Sequence, residues 1–438
     1  MSSTHQTGAS PYPRGNAEGG AAAHSWAADI GPGVVTMAAD NDAAGIVTYS
    51  LAGAQFGYDM LWSCVLTYPS IVALQLVSAR IAVLTGDGLT TNMRKHYSRL
   101  WFFLAVGRFL IANTFNIAAD VIAMGVGAQL LWLGSIPGFA MFFLVLSIAL
   151  QWFVPYARYA RVLRWLALSL FGYAGVDIAL HLPWTRLTAQ LFVPHVAWSE
   201  HYLEMLLAVL GTTVSPYLLY SQAEQQVEEQ RPEDERGNGN KDREARLKRL
   251  GSMRRDTLIR TALSNAVAVS IMIAAAATLH ASGRAADSAA TLASVLAPVA
   301  GRFDTQLLGL ALISSALLAL PPLAGSAAHA VASTVGWPND ERHNRRIAFA
   351  LLSIVALGGG LGIVLAAMQL DPIRVLYWSS VVNGTTATPV MALLVLLSTR
   401  HSSVGDLSAH WTLRALSWLA VLGMGAAVAA RYVCGWQG

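Results

Sequence analysis

The sequence predicts an all-α membrane protein of about eleven transmembrane helices, arranged as two inverted five-helix repeats with helices one and six broken. Three observations predict it. Hydrophobic residues make up 55% of the 438-residue chain and charged residues only 12%, with a mean hydropathy of +0.48; a soluble domain carries about twice that share of charge. Apolar runs of roughly 20 residues recur along most of the length, each long enough to cross a hydrocarbon core. Two of them, five spans apart, carry polar and helix-breaking residues near their middle, as corresponding helices of two repeats would.

Residues 1–28 are rich in Ser, Gly, Ala and His and have no apolar signal-peptide core; the expectation is a disordered cytoplasmic tail. The membrane domain then covers residues 29–435, with spans expected at 31–53, 60–83, 100–131, 136–154 and 162–182. The second set runs 202–222, 257–280, 304–332, 347–369 and 374–398, followed by an extra helix over 411–433. The third run is long enough to tilt or to hold two segments. Repeat one is thus residues 31–182 and repeat two residues 202–398. The hydrophilic segment 223–256 mixes both signs of charge and reads as a cytoplasmic loop with a short amphipathic helix. Its acids nearly balance its bases, which excludes a nucleic-acid role.

Loop charge sets orientation. With a cytoplasmic N-terminus, the inner loops hold Arg80, Arg94, Lys95 and Arg99, then Arg158, Arg161 and Arg164, the basic residues of 223–256, then Arg342, Arg345, Arg346, Arg400 and Arg414. The outer loops and the C-terminal end hold only Arg186, Arg284, Arg302, Arg374 and Arg431. This is the positive-inside pattern, and the expected location is a bacterial inner membrane. Cys64 and Cys434 lie in apolar segments, match no metal spacing and are not expected to pair.

The first break is Asp40-Asn41-Asp42-Ala43-Ala44-Gly45 and the second Gly211-Thr212-Thr213-Val214-Ser215-Pro216-Tyr217. A bilayer tolerates Asp40 and Asp42 only facing a protected cavity or a cation. Pro216 cannot donate a backbone hydrogen bond, and unwound backbone at membrane depth must line a cavity or be buried in protein. Freed carbonyls with a carboxylate suit a positively charged solute. The competing reading is a proline kink with helix-capping acids, and Asn41 also suits such a cap.

These residues resemble the NRAMP family of divalent-metal transporters, over Gly31 to about Ser398. Gly31-Pro32-Gly33 opens span one as in that family, and Ala79–Leu89 resembles its loop after span two. Thr48–Tyr58, Ala277–Gly283 and Leu323–Ala328 resemble a divergent bacterial branch. The resemblance implies a LeuT-like fold, alternating access and a metal held between spans one and six. Counted from Gly31-Pro32-Gly33, Asp42 falls on the family's metal-binding Asp. Ala43 and Ala44 replace its Pro-Gly, and Gly45 its Asn ligand. Ser215-Pro216-Tyr217 stands for Met-Pro-His, and Thr212 falls where a backbone carbonyl binds metal. Asp120 matches one span-three acid tied to proton movement; the other falls on Ile117.

The expected metal site is therefore Asp42, Thr212, Ser215, Asp40 and Gly45, with Asp120, Gln75, Tyr217 and Asn383 as pathway or proton residues. Serine for methionine exchanges a soft thioether for a hard oxygen. Loss of the Asn side chain at Gly45 is expected to leave room for waters, which suits Mg²⁺. The expected activity is secondary transport of a hard divalent ion, Mn²⁺ or Mg²⁺. An ordinary Mn²⁺/Fe²⁺–proton symporter and a sodium-coupled organic-solute carrier are the alternatives. The partners expected are the metal ion as substrate, the lipid bilayer and a coupling proton. No resident cofactor is expected, and no nucleophile–base constellation points to an enzyme. Asp120 could instead pair with Arg108, and His329 reads as a hydrogen-bonding residue between helices. His181, His195 and His201 read as a plain surface loop. Gly358–Gly362 reads as close helix packing rather than a phosphate loop.

Overall fold

In a bilayer the backbone must satisfy its own hydrogen bonds, so apolar runs become helices. The computed structural model describes residues 37–235, 243–337, 343–400 and 410–434, and helices and short helical turns are the only regular structure among them. The expectations for residues 1–28, Gly31-Pro32-Gly33 and Arg342 lie outside the described residues. The first repeat contains α1 (Ala43–Phe56), α2 (Leu61–Thr85), α3 (Leu89–His96), α4 (Arg99–Leu131), α5 (Ile136–Phe153), α6 (Tyr156–Ala167), α7 (Phe171–Ala179) and α8 (Trp184–Phe192). The second contains α9 (Glu200–Thr213), α10 (Pro216–Glu235), α11 (Arg243–Ala275), α12 (Ala289–Ala293), α13 (Ala297–Ala300), α14 (Asp304–Val335), α15 (His343–Ala367) and α16 (Pro372–Ser398), with α17 (Trp411–Cys434) following.

Among the described residues, ten helical stretches are long and apolar enough to cross a membrane. The expected first span is not one of them. It is α1, 14 residues long, preceded by a helical turn over residues 37–40 and a break at Asn41-Asp42. The sixth is α9 and α10, broken at Val214-Ser215. Span three is one continuous 33-residue helix. At 1.5 Å per residue it is about 50 Å long, so it runs well beyond the hydrocarbon core. The fifth span joins α6 and α7 through a 3₁₀ turn at Leu168–Leu170. The segment 223–256 differs from the expected loop with a short helix: α10 runs out through Glu235 and α11 begins at Arg243, with residues 236–242 outside the described set.

Local chemistry sets the helix ends. Ser135, Ser199 and Asp371 accept backbone hydrogen bonds at the starts of α5, α9 and α16, each satisfying a donor that the first turn leaves free. Gly86 and Gly336 end α2 and α14 in left-handed conformation, at φ 71° and 76°, where a Cβ would be strained. Gly88 has a different task. The Glu224 carboxylate of α10 lies so close that a Cβ there would stand 1.9 Å from its oxygen.

Packing depends on small residues at crossings, as expected where lipid gives helices no hydrophobic drive to associate. On α4 and α14, a Cβ on Gly127 or Gly309 would stand 2.8 or 2.7 Å from the other's carbonyl oxygen. Gly358 and Gly362 of α15 receive Ile117 and the Ala118 carbonyl of α4 in the same way, which is the close packing expected of that stretch. Pro322, inside α14, cannot bond the Leu318 carbonyl four residues back; the Tyr156 hydroxyl donates to it instead, at 3.4 Å. A five-residue π turn, Ala276–His280, extends α11 and sets the His280 Nδ1 3.1 Å from the Ala54 carbonyl of α1.

Candidate cation site

The two breaks face each other. At the first, Asp42 has left the helix, and its Oδ1 accepts from the Gly45 backbone N–H at 2.7 Å, capping α1. Asn41 closes the turn before it, donating to the Met37 carbonyl at 3.0 Å, and reaches α11 at the Ser264 hydroxyl and carbonyl, at 2.9 and 3.1 Å. The capping expected of Asn41 is thus shared: Asn41 serves the carbonyl end of the first half and Asp42 the amide end of the second. At the other break, Ser215 Oγ donates to the Gly211 and Thr212 carbonyls at 3.0 and 3.1 Å. The break is held together from inside the chain.

Cross-contacts join the halves. The Tyr217 hydroxyl donates to the Ala39 carbonyl at 3.0 Å, and Tyr49 and Thr213 hydroxyls meet at 3.1 Å. Asp40, Asp42 and Asp120 all lie within electrostatic reach of the Tyr217 hydroxyl. Asp42 and Asp120 are 2% and 1% exposed, so Asp120 has no contact with Arg108, which is on the surface. Neither Asp120 oxygen has a hydrogen-bond partner among the described residues.

A small cleft opens beside the breaks, lined by Asp40, Gln75, Thr212, Thr213, Thr261, Ser264, Asn265 and apolar neighbours. About 20 Å³ of it is open to water centres, room for one or two waters. Among the described residues its polar lining is entirely oxygen and amide, and no sulfur borders it. Asp40, rather than Asp42, faces this space.

One expectation is corrected here. The absent side chain at Gly45 leaves no open room, because a Cβ there would stand 2.9 Å from Thr212 Oγ1 and 3.2 Å from Asp42 Oδ1. The Thr212 hydroxyl fills the place that an asparagine would need. The missing span-three acid has a similar fate: Ile117 packs into the Gly358 notch, 2.7 Å from where a Cβ would be. Hydrocarbon occupies that position.

Asn383 lies behind the second break. It and Asn116 of α4 exchange amide hydrogen bonds at 2.9 and 3.1 Å, Ser379 donates to the same Asn116 oxygen at 2.5 Å, and Asn383 also reaches Ser215 Oγ at 3.5 Å. Gln75 accepts from the Thr261 hydroxyl at 3.1 Å and from Arg260 at 3.4 Å. The residues gathered by the structure but not singled out from the sequence are thus Asn116, Ser379, Arg260, Thr261, Ser264 and Asn265. His329 lies 3.7 Å from the Glu224 carboxylate, away from the cleft, and His181, His195 and His201 are on the surface.

A family model described as natural resistance-associated macrophage protein-like, Nramp, matches residues 33–433. A divalent metal cation transporter, MntH, of Chromohalobacter salexigens is 28% identical over 307 residues, spanning 67% of each chain. A crystal structure of a mutant manganese transporter from Eremococcus coleocola superposes with a TM-score of 0.73 at 17% identity, over 94% of this chain and 88% of that one. The structure of MhsT with L-phenylalanine superposes at 0.58 and 14%, over 94% of this chain and all of that one. At such identities the superpositions establish the fold.

Proposed function

The chain belongs to the Nramp family, and from that membership we propose that it is a secondary transporter of hard divalent cations, Mn²⁺ or Mg²⁺, bound between the breaks of spans one and six. The observation that carries the ion preference is the lining of the cleft, where among the described residues the donors are a carboxylate, hydroxyls and amides, with no thioether. Such a set suits Mg²⁺ and Mn²⁺ over softer metals. Asp40 and Asp42 supply charge, the Thr212 carbonyl and hydroxyl and the Ser215 hydroxyl supply neutral oxygen, and Gly45 lets Thr212 approach. Gln75 and Asn383 hold the walls of the pathway. The small water space suits an ion that keeps some of its hydration shell.

At this cleft the organic-solute alternative is disfavoured by size, since such ligands occupy pockets of about 300 Å³ or more. Proton movement, where it occurs, goes through Asp120: the Tyr217 hydroxyl is engaged by Ala39 and Ile117 is apolar.

Uptake into proteoliposomes tests the reading. Mn²⁺ and Mg²⁺ should be carried and Cd²⁺ and Fe²⁺ excluded; transport of all four at similar rates would sink the hard-ion preference.

A further inference from the structure

Arg260 is the one feature of the cleft's surroundings that a cation carrier would not be expected to have. It belongs to α11 and directs its guanidinium inward, where one terminal nitrogen donates to the Gln222 amide oxygen of α10 and lies 3.4 Å from the Gln75 amide oxygen of α2. Its Nε is buried with no hydrogen-bond partner among the described residues. The next residue, Thr261, donates to the same Gln75 oxygen and lines the cleft with Asp40. Asp40 lies within electrostatic reach of Arg260, and its carboxylate accepts no hydrogen bond from the described residues. Two glutamines on two other helices thus hold a permanent positive charge beside the cleft's own acid.

We propose that Arg260 is a tethered counter-cation: it neutralises Asp40 while the site holds no metal and yields to the divalent ion when one binds. This rests on the transport reading above. The physical need is clear. Asp40 and Asp120 each lie within electrostatic reach of Asp42 in a low-dielectric interior, where an uncompensated charge is expensive. A divalent ion and one guanidinium together balance three carboxylates. Without the ion, the guanidinium is the permanent positive charge that the described residues hold beside the cleft, and the empty carrier must reorient with it. Arginine suits the task because it stays charged in any protein environment and its planar fork can be held by amide oxygens. Metal and guanidinium then compete for Asp40, and such a coupling is reciprocal.

Two variants move metal affinity in opposite directions. Arg260→Gln removes the competitor, so Mn²⁺ should bind roughly tenfold more tightly, within the range of ordinary site–site coupling. The empty carrier then returns poorly: net Mn²⁺ uptake into proteoliposomes should fall roughly tenfold by the same coupling, while exchange of external Mn²⁺ for internal Mn²⁺, which never requires an empty return, continues. Gln222→Met releases the tether and lets the guanidinium swing to Asp40, so Mn²⁺ should bind more weakly. Arg260→Lys should restore net uptake. The proposal is overturned if Arg260→Gln binds Mn²⁺ no more tightly, or if its exchange and net uptake fall together. Should that variant not fold, unchanged or tighter Mn²⁺ binding by Gln222→Met overturns it. A wild-type protein that neither binds nor moves Mn²⁺ would overturn the transport reading itself, a result distinct from either variant's.

Discussion

Asp42 serves two purposes, which makes the obvious substitution a poor probe. Its carboxylate is a candidate ligand and also the cap of α1 through Gly45. Asp42→Ala removes both and should cost about 1 kcal/mol of stability through the lost cap alone. Asp42→Asn keeps an oxygen for the Gly45 amide while removing the charge. The expected outcome is loss of Mn²⁺ binding by calorimetry with little change in melting for Asn, and both losses for Ala. Undiminished Mn²⁺ affinity in Asp42→Asn would take Asp42 out of the site. At this scale the sequence was informative about which side chains are out of place, since an acid in an apolar run is conspicuous. It was silent on what fills a gap: Gly45 reads as space until Thr212 is seen against it. Arg260 was hidden for a different reason. It follows closely on Arg254, Arg255 and Asp256, so it reads as the tail of a solvated charge run rather than as an inward-facing cation.

Elements were easier to read than their contacts. Apolar runs and their polar interruptions locate the spans and both breaks, because hydrogen-bond demand and proline chemistry act locally. The glycine crossings and the Asn116–Asn383 pair depend on which helices meet, and no local pattern contains that. The crossing of α9 with α16 shows the sensitivity. A Cβ on Gly211 would stand 2.2 Å from the Ser380 carbonyl and 2.4 Å from the Gly384 amide nitrogen. Gly211→Ala must push the helices apart just before the second break. Overpacking of this kind costs about 1–3 kcal/mol, so the detergent-solubilised variant should melt earlier and transport less. A Gly211→Ala protein that melts with the wild type would mean the crossing is looser than the structure has it.

For the whole molecule, orientation is the property that charge alone sets. Most of the basic residues flank one set of helix ends, and the exposed turn after α11 at Ser282 belongs to the opposite set from Ser252. In a background with Cys64→Ala and Cys434→Ala, Ser282→Cys should react with an impermeant maleimide on intact cells and Ser252→Cys only after lysis. The reverse labelling would invert the assigned topology. The π turn that precedes Ser282 bears on how such a chain changes over generations. A π turn holds one residue more than the α-helical path it replaces, so it has the form of a single-residue insertion that the fold has absorbed. Deleting one residue from Ala276–His280 would return the segment to α register, rotate everything beyond it by about 100°, and pull His280 off the Ala54 carbonyl. A change of length at that turn should therefore disrupt the fold, while the links beyond it should tolerate one.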